Sequence, residues 1–257
     1  MIAPHLMLGD LAGKRVLITG GSTGIGAAVV LGFAAQGAHV VLHYNASIAP
    51  AEQLRAQFPG QITLLQGDLA AAGEVVRVVA EAARLLGGLD GLINNAGSML
   101  GRIPTLEASD AHFDDVLGLN AKSVWQASIA VHPHLKAAGG GFIINTTSIA
   151  ARNGGGNGAV LYAAAKSFVS NLTRGQAKEF VADNIRVNAV APGLILTPFH
   201  VRDTPASMMA AQSATIPMGR AGRAEECVGA FLFLACASLS GYITGQIIEV
   251  NGGQLMP

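Results

Sequence analysis

The chain has 257 residues, 16 Lys and Arg against 16 Asp and Glu, a formal net charge of zero, 51% apolar residues, 12% charged residues and 33 glycines. A neutral chain without a basic run has little with which to neutralise phosphates, so no nucleic-acid partner is expected; a charged fraction about half the usual quarter describes a globular protein rather than a disordered one. The longest apolar stretch, 231–239, falls short of the roughly 18 to 20 residues that span a bilayer, so no membrane partner is expected either.

The length suits one α/β domain over 1–257 with ample core. Residues 1–11 contain His5 and Asp10 but no basic segment ahead of an apolar one, which is not the pattern of a secretion signal, and a cytoplasmic protein is expected. Cys227 and Cys236 are the only cysteines and read as core thiols. Apolar bursts rich in Val and Ile follow at 15–19, 38–43, 62–66, 89–94, 141–146, 185–189 and 246–250, with helix-compatible segments between them. Runs buried on both faces and separated by helices are what a parallel sheet covered on both sides requires, so the fold class is α/β: a doubly wound, Rossmann-type domain of about seven strands. Ligands of such sheets bind beyond the carboxyl ends of the strands, where the strand order reverses.

Just after the first burst stands Thr19-Gly20-Gly21-Ser22-Thr23-Gly24-Ile25-Gly26, followed by a helical run at 27–36. Glycines let backbone turn tightly and approach a pyrophosphate, whose charge is stabilised by free amides at a helix start. An ordinary turn can read the same way, but the first strand-to-helix junction is where a dinucleotide loop belongs. The second burst runs into His43-Tyr44-Asn45-Ala46-Ser47. This segment holds neither the acid that would bind the ribose hydroxyls of NAD nor an Arg for the phosphate of NADP. Without an acid there is no repulsion against a phosphate, and Asn45 and Ser47 can donate to it, with Tyr44 beside them; NADP(H) is slightly favoured over NAD(H), and use of both stays open. Asp68 precedes an Ala-rich segment and is either a ligand contact or a helix cap. Further on, Tyr162 and Lys166 lie four apart in a helix-forming stretch, so their side chains share a face. A free tyrosine has a pKa of about 10, and a neighbouring cation favours its phenolate, the form a general base needs; the plain alternative is a surface Tyr and Lys on an amphipathic helix.

The glycine loop spaced Thr-Gly-x3-Gly-x-Gly, Asp68-Leu69, Asn94-Asn95-Ala96-Gly97, Asn120, Ser148, Tyr162-x3-Lys166, and Pro192-Gly193 with Thr197 occur in the order found in the short-chain dehydrogenase/reductase family, which the chain resembles from about Gly13 to Gly253. The resemblance implies that Gly20, Ser22, Thr23 and Ile25 surround the cofactor's phosphates and adenosine ribose. Asp68 and Leu69 would contact the adenine, Asn95, Ala96 and Gly97 would line the cofactor path, and Pro192, Gly193, Ile195 and Thr197 would embrace the nicotinamide amide. It implies hydride transfer between the nicotinamide and a carbonyl or secondary alcohol, with Tyr162 as general acid/base. Lys166 would lower the tyrosine's pKa and hold the nicotinamide ribose. Ser148, or its rival Thr147, would orient the substrate oxygen. Asn120 would hold a water of the proton relay, unless it merely braces its helix. No metal is needed, and the seven histidines show no ligand spacing.

Residues 198–218, with Phe199, His200, Met208 and Met209, would form a lid over a small, largely neutral or apolar substrate, although methionines at helical spacing also suit a core. Ser98, Met99, Leu100 and Arg102 would form another wall. A 3-oxoacyl carrier-protein reductase is the alternative within the class and needs basic residues at the pocket mouth, for which Lys136 and Lys178 are candidates. A non-catalytic, dinucleotide-binding redox sensor is the alternative from another class, against which the paired Tyr and Lys argue. Relatives pair surfaces equivalent to 121–132, 159–180 and the C-terminal strand, which implies a homotetramer, with a dimer left open.

Overall fold

A computed structural model describes residues 8–256. Residues 1–7, on which the expectation about a secretion signal falls, and Pro257 lie outside that range. After a short turn at Gly9–Leu11 the strands and helices alternate in the expected way: β1 (Arg15–Ile18), α1 (Gly24–Ala35), β2 (His39–Tyr44), α2 (Ile48–Gln57), β3 (Ile62–Gln66), α3 (Glu74–Leu86), β4 (Gly91–Asn94), α4 (Asp110–Leu117), α5 (Ser123–Ala137), β5 (Gly141–Thr146), α6 (Ala150–Asn153), α7 (Val160–Phe180) and β6 (Ile185–Pro192). The rest comprises β7 (Ile195–Leu196), α8 (Pro198–Asp203), α9 (Ala206–Ala214), β8 (Gly222–Arg223), α10 (Glu225–Ala235), α11 (Ala237–Ser240) and β9 (Ile247–Val250).

Seven strands form one parallel sheet in the order β3-β2-β1-β4-β5-β6-β9. Side chains alternate across a strand, and here both faces are apolar. Val16 and Ile18 of β1, Val40 and Leu42 of β2, and Phe142 and Ile144 of β5 pack under Phe33 of α1, Leu54 of α2 and Phe231 of α10. Leu17, Val41 and Ile143 point the other way, onto Val78 of α3, Val131 and Leu135 of α5 and Ala177 of α7. The near-continuous Val/Ile/Leu runs in the sequence are therefore the signature of a sheet with no solvated face. Strand order reverses between β1 and β4, and the switch point opens a crevice at the strands' carboxyl ends.

Three details depart from the pattern read in the sequence. β6 runs to Pro192, past the apolar burst at 185–189. The segment after it pairs β7 with β8 in a separate two-stranded parallel ribbon, which encloses α8 and α9 between its strands. Between α4 and α5 the chain makes a π-helical turn at Gly118–Lys122, a rare widening that is frequent at functional sites; Asn120 sits inside it. Among the described residues no helix is long and apolar enough to cross a membrane.

Candidate active site

A cleft of 390 Å³ follows the crevice. It is lined by Gly20, Ser22, Thr23 and Ile25 from the first loop, Asn45 and Ser47 after β2, and Asp68 and Leu69 after β3. The same cleft takes in Asn95, Ala96 and Gly97 after β4, Tyr162 and Lys166 of α7, and Pro192, Gly193, Ile195 and Thr197 after β6. Six separate stretches of chain thus deliver their predicted residues to one place. Tyr44 is not among them: it is the last residue of β2, its ring is 7% exposed in the apolar cluster that includes Ala51 and Leu54 of α2, and the side chain is spent on packing. That removes it from the cofactor contacts expected of it.

The floor of the cleft is shaped for backbone. Gly20 has φ +61, and a Cβ there would lie 2.8 Å from Ala96 Cα. A Cβ at Gly97 would lie 2.7 Å from Asn120 Oδ1 and 3.3 Å from Lys166 Nζ. Thr23 stands at the N-cap of α1 in extended conformation, yet its side chain makes no capping bond, so the first amides of this helix face the cleft without a side-chain acceptor. A glycine cradle against an uncapped helix start fits a diphosphate. Asp68 does not cap α3, which begins at Glu74; its Oδ1 accepts from Ala70 N at 3.1 Å and holds its own turn.

Two residues that sequence reasoning passed over tie these loops together. Thr19 Oγ1 accepts from Asn95 N at 3.0 Å and from Ala96 N at 3.1 Å, while Asn95 Nδ2 donates to the carbonyls of Thr19 and Gly20 at 3.2 and 3.0 Å. His43, 2% exposed, accepts from Gly20 N at Nδ1, 3.2 Å, and through Nε2–H donates to Gly67 O, 3.0 Å. Both ring nitrogens are then used in the neutral tautomer, and burial pushes its pKa down to about 4. Between its ordinary 6.5 and this value the unfolded chain binds the extra proton, so stability falls as the pH drops through that window. In urea unfolding from pH 7 to pH 4, His43→Asn should lose less stability than the parent by up to about 3 kcal/mol; equal losses would remove His43 from this role.

At the other end of the cleft, Ser148 stands near enough to Tyr162 to act on its pKa, and Lys166 Nζ lies 5.6 Å from the centre of the Tyr162 ring. The expected lowering of the tyrosine pKa by Lys166 is not what this arrangement produces. The surrounding protein pushes Tyr162 up to about 12, opposed only by the neighbouring Ser148 side chain. Lys166, 2% exposed and donating to Thr146 O at 2.8 Å, is itself pushed down to about 8 by burial. Burial is the largest cause of both shifts.

Ser148 lies two residues past β5, half-buried, with Oγ accepting from Ala150 N at 3.1 Å. The hydroxyl of Thr147 points away from it, bonded to Lys166 O at 2.9 Å and to Ser170 Oγ at 2.6 Å, so the two candidates for the substrate oxygen are separated by which way they face. Asn120 is fully buried behind Gly97. Its Nδ2 donates to Ser98 O at 2.7 Å and Val116 O at 2.9 Å, and its Oδ1 accepts from Ser98 N at 3.0 Å. The side chain braces the widened turn.

Tyr162, Gly193, Phe199 and His200 are shared with a second cavity of 340 Å³. Phe199 packs on the Tyr162 ring, centroids 5.5 Å apart. Met99 and Arg102 reach this cavity from the wall after β4, whereas Leu100 is exposed and Met208 and Met209 are half-buried on α9 and line neither cavity. Lys136 and Lys178 are elsewhere: both lie in the last turn of helices that run back from the cleft toward the starts of β5 and β6, and Lys136 is paired with Asp183 at 2.9 Å. Neither lines either of these two cavities; Lys178 borders a separate surface pocket with Arg152 and Arg174. Cys227 and Cys236 are buried free thiols, and among the described residues no group of His, Cys, Asp or Glu is arranged to hold a metal.

The chain is similar to known proteins over nearly its whole length. A family model described as enoyl-(acyl carrier protein) reductase matches residues 20–254. Glucose 1-dehydrogenase of Gluconobacter oxydans is 38% identical over 247 residues, covering 94% of this chain and 92% of the relative. A 3-oxoacyl-(acyl-carrier-protein) reductase of Thermotoga maritima is 34% identical over 249 residues, covering 95% and 98%. Among solved structures, the NADH-dependent reductase A1-R′ complexed with NAD superposes with a TM-score of 0.85 at 39% identity, covering 98% of this chain and 100% of the other.

Proposed function

The chain belongs to the short-chain dehydrogenase/reductase family and is an NAD(P)-dependent oxidoreductase acting on CH–OH and C=O groups, and from that premise we propose that Tyr162 is the general acid/base for a small carbonyl or secondary alcohol bound in the second cavity. The observation that carries this is the place of Tyr162 at the junction of the two cavities, with Ser148 beside it and Lys166 on the same helix face. When bound, the nicotinamide dinucleotide supplies or takes up the hydride. In the reducing direction the substrate carbon gains that hydride with its two electrons and the oxygen gains the Tyr162 proton, giving the alcohol. Ser148 donates to the same oxygen as charge develops on it. The buried ammonium of Lys166 stabilises the phenolate left behind, and its pKa of about 8 leaves it protonated at neutral pH. Asn120 shapes the wall through which the proton is replaced.

Gly20, Ser22, Thr23 and Ile25 hold the diphosphate end, and Asn45 and Ser47 take the adenosine ribose. No carboxylate stands beside them among the described lining residues of that end after β2, which favours NADP(H) slightly over NAD(H). Residues 198–218 act as a lid through Phe199 and His200, and the whole chain works as one catalytic unit in the cytoplasm. The test is a panel of ketones, aldehydes and alcohols with each reduced or oxidised dinucleotide, read by nicotinamide absorbance. Turnover with at least one carbonyl is expected, and tight dinucleotide binding without any turnover would turn the reading toward a sensor.

The homotetramer rests on apolar side chains left facing solvent on two long helices: Trp125 and Ile129 of α5, 44% and 48% exposed, and Val160 and Phe168 of α7, 48% and 46%. Such a set on a monomer marks a contact surface. Light scattering should give four chains per particle, and Trp125→Glu combined with Phe168→Asp should reduce that number; an unchanged tetramer would place the interface elsewhere.

A further inference from the structure

The helix α8 is tied at its far end to the opposite wall of the second cavity. Thr197 and Pro198 at its start line the cofactor cleft, Phe199 and His200 line both cavities, and Thr204, just past its end, is 5% exposed. Thr204 Oγ1 accepts from Arg102 Nη2 at 3.3 Å and lies 3.2 Å from His200 Nδ1. An arginine only donates, so the Thr204 hydrogen is left for His200 Nδ1 in the tautomer protonated at Nε2.

The other prong of the same guanidinium, Nη1, donates to Asn157 O at 3.0 Å. Asn157 belongs to the loop 154–158, whose glycines at 154, 155, 156 and 158 all have φ between +71 and +80. Such a loop brings few side chains with which to hold itself. At Gly158 it comes close to the wall after β4: a Cβ there would lie 2.8 Å from Arg102 C, and the Gly158 carbonyl accepts from Ile103 N at 3.1 Å. The base from which Arg102 reaches out is itself anchored, because Ser98 N donates to the buried Asn120 Oδ1 at 3.0 Å and Ser98 Oγ accepts from Leu100 N at 3.0 Å. One planar fork thus joins the wall, the glycine loop and the end of the lid, and the cost of ordering one side chain is met once for both bonds.

For a dinucleotide to leave the cleft, the start of α8 has to move off it. The helix has only six residues, so displacing its first turn displaces the end where Thr204 is tied. We propose that Arg102 is a strap on the lid: by joining Asn157 O to Thr204 Oγ1 it holds α8 over the cleft and sets the rate at which the bound dinucleotide is released. The inference rests on the oxidoreductase reading above. Arg102 does not line the cofactor cleft, so it is a positioning residue that acts through Thr204.

Stopped-flow fluorescence of the parent with NADH and NADPH gives association and dissociation rates. The tighter dinucleotide is then used with Arg102→Gln, Arg102→Lys, Thr204→Val, Thr204→Ser and the double variant Arg102→Gln/Thr204→Val. Arg102→Gln and Thr204→Val should each release it about threefold to tenfold faster, with association rates near the parent's. Because both cut the same bond, their effects should not add in the double variant. Thr204→Ser keeps the hydroxyl and should release at the parent's rate, whereas Arg102→Lys loses the fork and should release as fast as Arg102→Gln. The bond is cut from either side, so misfolding of one variant leaves the other to decide. Parent-like release in Thr204→Val, effects that add in the double variant, or a change confined to association overturns the strap while leaving the oxidoreductase reading standing. A parent chain that binds neither dinucleotide overturns both.

Discussion

Replacing Tyr162 with Phe is expected to reduce kcat by about 10²–10⁴-fold, the range a positioned general acid or base contributes, while leaving NAD(P)H affinity near that of the parent. The change removes one hydroxyl and nothing else of consequence to the fold. The ring keeps its contact with Phe199, 5.5 Å between centroids, and Ser148 keeps its bond from Ala150 N. What is lost is the proton at the junction of the two cavities. Because the Tyr162 pKa is pushed up to about 12, the hydroxyl is protonated at neutral pH and ready for carbonyl reduction. Alcohol oxidation needs the phenolate, so its rate should climb with pH above neutrality in the parent and stay flat in Tyr162→Phe. Steady-state rates in both directions, with NADH fluorescence titration for binding, check this. A kcat within a few-fold of the parent would remove Tyr162 from the reaction, and a matching loss of NADH affinity would make it a cofactor contact instead.

Much of the fold could be read from pattern because this sheet is buried on both faces. Each strand then appears as an unbroken apolar run, and the seven bursts fall on the seven strands of the main sheet to within a few residues. The site was legible for a related reason: in a doubly wound sheet the functional residues sit at fixed places just after strands, so Gly20, Asp68, Asn95 and Gly193 arrive in one cleft. What escaped notice depends on partners distant in the chain. His43 sits inside an apolar burst and looks like strand filling until Gly20 N and Gly67 O are seen on either side of its ring. Thr19 is small and precedes the glycines, yet its one hydroxyl organises the loop after β4. Tyr44 was assigned by position, but a strand's last residue alternates like the others, and its face is the core. The Tyr162–Lys166 pair shows the same limit in energetics. Spacing on a helix fixes a shared face, whereas the sign of the pKa shift depends on how much protein surrounds the groups.

The glycine loop gives the second large effect. Gly26→Ala adds one methyl group to α1, a helix in which alanine is ordinarily the better residue, and it should nonetheless cost about 1–3 kcal/mol of stability, as overpacking does, and weaken NAD(P)H binding at least about tenfold. A Cβ at Gly26 would run into the Gly20 carbonyl and lie 2.5 Å from Asn95 Nδ2. That carbonyl cannot simply withdraw, because it accepts from Asn95 Nδ2 at 3.0 Å, and Gly20 N is held by His43. The methyl therefore pushes on a network joining the loops after β1, β2 and β4, and the start of α1 must move away from the cleft it faces. Gly229→Ala supplies the contrast: it lies in α10 with nothing within 4 Å of the added Cβ, and should stabilise the protein by about 0.5–1 kcal/mol with no change in binding. Thermal unfolding and NADH titration of the two variants separate the effects of helix propensity from those of the cradle. If Gly26→Ala behaves like Gly229→Ala in both, the close approach of α1 to the first loop is not what shapes the dinucleotide site.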